Sequence, residues 1–165
     1  MDSPLMALRE CTFSELGRLD STFARGTLPE SKHPFLVIRL SGAASNARDE
    51  IGVYSHAAAM VMAALEAWDP WAAVLDLSRF GYTWGDEMAN VLSAPQRWYQ
   101  AVYPIRAIFG AGEGAVPERF PLGLVVAEHN REPLATLASE YMHTELLMRE
   151  SVEDVVGELD RKSVV

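Results

Sequence analysis

From Pro34 onward the chain alternates short apolar runs with longer stretches in which apolar residues recur every three or four positions, the pattern of a parallel α/β domain. The runs are Phe35 to Leu40, Ala72 to Leu77, Ile105 to Phe109, Leu122 to Ala127 and Leu146 to Met148, and each predicts a strand. Val74-Leu75 and Val125-Val126 sit in nearly unbroken apolar stretches, as expected of strands covered on both faces. Between the first two runs, Tyr54, Ala58, Val61, Leu65 and Trp68 form one helical stripe, so Trp68 reads as core, and Asp69-Pro70 stops it. A second helix is predicted from Thr83 through Met88, Val91 and Leu92. At Pro95 it should break or start a new helical turn, because an interior proline removes a hydrogen bond and crowds the preceding turn. A third is expected from Glu132 to Tyr141, with Pro133 in its first turn. The last starts at Ser151, where Ser151 and Asp154 offer a capping box and Val152, Val155, Val156 and Leu159 are to be buried.

Residues 1–33 are less regular. Leu16, Leu19 and Phe23 fit a helix, while Met6 to Phe13 fits an edge strand, and both readings stay open. This N-terminal segment is assigned to the same domain as residues 34–165, since no linker, repeat or low-complexity tract divides the 165 residues. A chain of that size buries roughly 70% of its unfolded surface.

Charge narrows the function. Against 14 Lys plus Arg stand 23 Asp plus Glu, a formal net charge of −9. That argues against nucleic acid, whose binders rely on cations at phosphates, and permits a basic protein partner. The longest apolar run, nine residues from Ala57 to Leu65, is far short of the ~20 of a membrane span. Cys11 is the only cysteine, so no internal disulfide or thiolate metal cage is expected. With an acid in Met1-Asp2-Ser3-Pro4 where a secretory leader carries positive charge, the expected location is cytoplasmic.

The stretch from Val74 to Met88 reads as buried strand, loop and helix start, and in open parallel sheets such strand-end loops line the binding crevice. Here the loop carries Tyr82, Trp84, Gly85, Asp86 and Glu87. Thr83 and Asp86 also suit helix capping, and acids suit the positive end of a helix dipole. Tyr82 and Trp84 are either core or contact residues. The same choice applies to Trp71 and to Trp98-Tyr99, part of an aromatic group in which four tryptophans fall within 31 residues.

The run Ala73 to Leu92 resembles the central segment of STAS domains, the family of bacterial anti-sigma-factor antagonists. Asp76-Leu77-Ser78 matches the family's strand end without gaps, Tyr82 falls on its loop position, and Met88 to Leu92 continues as its helix. Phe35 to Leu40 with Ser41-Gly42, and Pro133 to Leu159 with Ser151-Val152-Glu153-Asp154, resemble its opening and closing parts. The resemblance implies a single α/β domain with a mixed or mostly parallel sheet of about five strands. It also implies a non-enzymatic regulatory protein that works through a protein partner. Where the family places its phosphorylatable serine this chain has Asp86, so the phospho-switch does not carry over. Carboxylate charge is permanent, and it only partly imitates a phosphate. The expected contact surface is Tyr82, Trp84, Asp86 and Glu87. Residues Ala111 to Gly123 look inserted relative to the family.

Two other functional classes compete. An acidic immunity or antitoxin protein would block a basic toxin. A reduced crotonase-like acyl-CoA enzyme, which the segment Pro104 to Gly114 resembles, would use a strand followed by a glycine loop. The same loop, Gly110 to Ala115, superficially fits a dinucleotide fingerprint. However, Pro117 and Pro121 follow it in place of a helix, and Glu113 would repel phosphate. His33, His56, His129 and His143 show no metal-ligand spacing, and no nucleophile motif is present. No catalytic residue, metal or cofactor is assigned.

Overall fold

The computed structural model describes residues 9–16, 18–43, 47–82, 86–109, 116–142 and 146–164. After a short 3-10 turn, Phe13–Leu16, strand β1 (Arg18–Thr27) pairs antiparallel with β2 (Pro34–Ala43). Helix α1 (Ala47–Trp68) crosses to β3 (Ala72–Gly81), which lies parallel to β2 with Ile38 opposite Leu75. Then follow α2 (Met88–Phe109), β4 (Leu122–Val125), α3 (Glu128–Leu137), β5 (Leu147–Arg149) and α4 (Val152–Ser163). The sheet order is β1-β2-β3-β4-β5, and every pair after the first is parallel. The single α/β domain with a mixed, mostly parallel five-stranded sheet is as the sequence implies.

Alternation along the strands divides the interior in two. Leu36, Ile38 and Leu40 of β2 and Leu75 and Leu77 of β3 pack under α1 and α2, whose Val53, Ala57, Val61, Leu65, Val91 and Leu92 are buried. On the opposite face, Val37, Val74 and Val125 meet Val155 and Leu159 of α4. Both faces of the central strands are therefore apolar, which is why their sequences run without polar breaks. Gly123 allows the close approach of α4: a Cβ there would lie 2.2 Å from Val155 Cγ1. The far end of α4 is fixed by Asp160, whose carboxylate accepts from the backbone N–H groups of Glu30 (2.7 Å) and Ser31 (3.0 Å) in the β1–β2 turn. Desolvation pushes the Asp160 carboxyl upward, but these hydrogen bonds and nearby Lys32 outweigh it and leave the pKa below the ordinary value.

Several elements depart from the sequence reading. Ile105 to Phe109 is the last part of α2, not a strand. Pro95 does not break that helix. Breaking it would forfeit the burial of Val91, Leu92, Trp98 and Tyr99, at roughly 1.5–3 kcal/mol for each aliphatic side chain, against a proline cost of about 3 kcal/mol. Near the proline the Asn90 carbonyl accepts from Arg97 Nη2 at 3.1 Å. Helix α3 begins at Glu128 rather than Glu132, placing Pro133 beyond the first turn. Within residues 1–33, Leu19 and Phe23 lie on strand β1, so the helix reading fails. Met6 to Leu8 lie outside the described residues, and Phe13 opens a 3-10 turn rather than ending a strand. Trp68 is 37% exposed and packs at 5.1 Å on Phe23, so it borders the core rather than filling it. The capping at Ser151 holds: its Oγ accepts from Asp154 N at 3.2 Å.

Candidate interaction site at the strand ends

Strands β2 to β5 run in one direction, so the loops leaving β3 and β4 emerge at the same edge of the sheet. The β3 end is shaped by a bulge. Arg39 pairs with Asp76 and Ser41 with Arg79, so β3 carries one residue more than β2 between those points. Asp76 stabilises it. Its Oδ1 accepts from Ser78 N at 3.0 Å and from Ser78 Oγ at 2.6 Å, and its Oδ2 lies 3.7 Å from Arg39 Nε. The Asp-Leu-Ser signature is thus a local backbone device that re-aims the end of the strand.

Tyr82 follows at once, with its N–H donated to the Phe80 carbonyl at 2.9 Å. Its ring is 2% exposed and stands edge-on to Tyr54, with centroids 6.3 Å apart. This corrects the expectation that Tyr82 is a contact residue: it is buried in the same core cluster as Phe80, where an aromatic ring contributes most. Trp84 and the Thr83 half of the expected capping box lie outside the described residues.

Asp86 and Glu87 form the turn that opens α2. Asp86 is exposed and Glu87 half-buried, while Met88 next to them is fully buried. Their carbonyls accept from Ala89 N (2.9 Å) and Asn90 N (3.1 Å), the first turn of the helix. Two carboxylates therefore stand just ahead of a helix N-terminus, whose dipole favours negative charge there.

The neighbouring helix start is built differently. Asn130 in the first turn of α3 is fully buried, although sequence reasoning did not single it out. Its Nδ2 donates to the Leu77 carbonyl at 2.8 Å and reaches the Phe80 carbonyl at 3.4 Å, and its Oδ1 accepts from Ala127 N at 3.0 Å. His129 Nε2 lies 3.4 Å from the same Phe80 carbonyl. One side chain thus ties the end of β3 to the start of α3. The available signal was an asparagine just past an apolar run, where a side chain can satisfy a helix's unpaired N–H groups.

The remaining aromatics are mostly structural. Trp98 and Tyr99 are buried, so of the two readings open for them the structure gives core. Trp98 Nε1 donates to Glu66 at 2.9 Å, and the Tyr99 hydroxyl donates to the Pro117 carbonyl. Trp71 stacks on His33 with centroids 4.4 Å apart. The loop Gly110 to Ala115, with the dinucleotide-like and crotonase-like motifs, lies outside the described residues. The segment before it is helix, so the strand those motifs require is missing. His143 is also outside them. Among the described residues no three His, Cys, Asp or Glu side chains are grouped to hold a metal, and no helix is long and apolar enough to cross a membrane.

No protein-family model and no curated protein matches the sequence. The structure is similar to the crystal structure of an anti-sigma factor antagonist from Mycobacterium paratuberculosis, with a TM-score of 0.53 and 15% sequence identity. The match covers 86% of this chain and 94% of that one. The chain therefore has the STAS-like fold that Asp76-Leu77-Ser78 and the flanking elements imply.

Proposed function

We propose that this chain is a non-enzymatic regulatory module that binds a protein partner through the turn between β3 and α2. The carrying observation is the placement of Asp86, exposed, and Glu87, half-buried, ahead of α2 on a fold shared with an anti-sigma factor antagonist. This is the address at which the resembled family carries a switchable serine. A fixed carboxylate pair there favours a constitutive interaction over one gated by a serine kinase, and it favours a partner with a basic contact surface. A cytoplasmic location suits such a role.

The test is affinity purification from the source cell with the wild type, Trp84→Ala and an Asp86→Lys/Glu87→Lys double variant. The expected result is one partner retained by the wild type without phosphorylation and lost from the double variant, with melting temperature preserved. A partner retained equally by all three proteins would contradict this contact surface.

A further inference from the structure

The two edges of the sheet are managed in opposite ways. Strand β5 is three residues long, and Arg149 Nη1 donates to the Met148 carbonyl at 2.7 Å, occupying an acceptor of that short strand. Strand β1 has ten residues, no proline and an unbroken register against β2. Among the described residues no backbone hydrogen bond reaches its outer side. Such an edge is a template for pairing with another strand.

Apolar side chains line the open edge. Among the exposed large hydrophobics are Phe13 (62%), Leu16 (39%) and Trp68 (37%). Phe13 stacks on His56 of α1 at 4.6 Å, and Leu16, two residues before β1, lies against Gly52 of α1. Trp68 packs on Phe23 in the middle of β1. All three flank β1 on the α1 side of the sheet.

We propose that β1 is the seam of a symmetric dimer, pairing antiparallel with β1 of a second copy so that two five-stranded sheets become one. A two-fold axis through Thr22 or Phe23 opposes no like charges: Arg18, Asp20 and Arg25 then face uncharged positions. An axis at Phe23 brings the Phe23–Trp68 pairs of both copies together. Nine paired residues span about 31 Å, and the sheet and α1 layers are each about 10 Å thick. That gives roughly 600 Å² per partner, at the lower end of specific interfaces. The seam excludes Asp86 and Glu87, so it stands or falls apart from the partner site.

Sedimentation velocity from low to several hundred micromolar protein tests the proposal. The expected species is a reversible dimer of twice the 18.2 kDa chain, with β1 amides exchanging more slowly as concentration rises. Thr22→Glu should weaken dimerisation at least tenfold while the monomer stays folded, because within one chain position 22 faces Arg39. Phe13→Asp, on an exposed side chain, should act in the same direction. A wild type that is monomeric throughout overturns the proposal. So does a dimer unaffected by both variants, or one broken instead by Ile105→Asp on the exposed ridge of α2.

Discussion

Helices α2 and α3 leave the same edge of the sheet after parallel strands, yet their first turns do opposite work. At α3 a buried asparagine uses its amide on three backbone groups and locks the helix to β3. At α2 two carboxylates precede a helix anchored from below by Tyr82 and Met88, and the charged groups themselves hold little in place. Among the described residues, the one side-chain hydrogen bond either acid accepts is from Asn90 Nδ2 to Glu87 at 3.5 Å, at the limit of such a bond. Stability is concentrated at one start, and the other is left accessible. Side chains that carry no structural burden are the ones a binding surface can use.

The comparison can be broken in order of expected effect. Leu75→Ala, in the strand beneath both helix starts, should cost about 2–5 kcal/mol in chemical denaturation, since Leu75 is 1% exposed and its loss leaves a cavity. A change within experimental error would show that β3 does not carry the two sites. Asn130→Ala should cost about 1–3 kcal/mol by leaving the Leu77 carbonyl and the Ala127 N–H without a partner in the interior. If Asn130→Ala were neutral, the contrast between the two helix starts would collapse.

Acid titration provides a control far from both. Because the folded pKa of Asp160 lies below its ordinary value, its stabilisation is present above that value and lost as pH falls through the depressed one. Thermal melts of the wild type should therefore lose stability in that acid window more steeply than those of Asp160→Asn. Parallel pH profiles would show that the tie to Glu30 and Ser31 contributes nothing. The smallest effect is expected at α2 itself. Asp86→Ser should remove only the favourable charge–dipole contact, about 0.3–1 kcal/mol, and a loss as large as that of Asn130→Ala would make Asp86 a structural residue.

Much of this architecture could be read from periodicity. The stripe from Tyr54 to Trp68 and the apolar runs at 35–40 and 72–77 suffice for the βαβ unit, and Ser151 announces α4. Failures occurred where a local pattern was satisfied by two structures. Ile105 to Phe109 has the composition of a strand but continues a helix whose inward face carries Trp98, Tyr99 and half-buried Arg106. In β1 only Leu19 and Phe23 are large and apolar, and residues four apart share a face of a helix and of a strand alike. Asp86 and Glu87 stand out by their position after a buried strand, and they lie in the turn ahead of α2. Tyr82 was misplaced because a loop aromatic gives no sign of whether it points in or out. Asn130 was missed because its partners, Leu77 and Phe80, lie fifty or more residues away in sequence.

The claim that the α2 start is an interaction surface is tested most directly by the partner affinity of the Asp86→Ser/Glu87→Gln double variant, with its melting temperature taken on the same sample. The expected result is affinity at least tenfold weaker, about 1.4 kcal/mol, with the melting temperature lowered by only a few degrees. Unchanged affinity, or a loss that appears only as the protein unfolds, would contradict it.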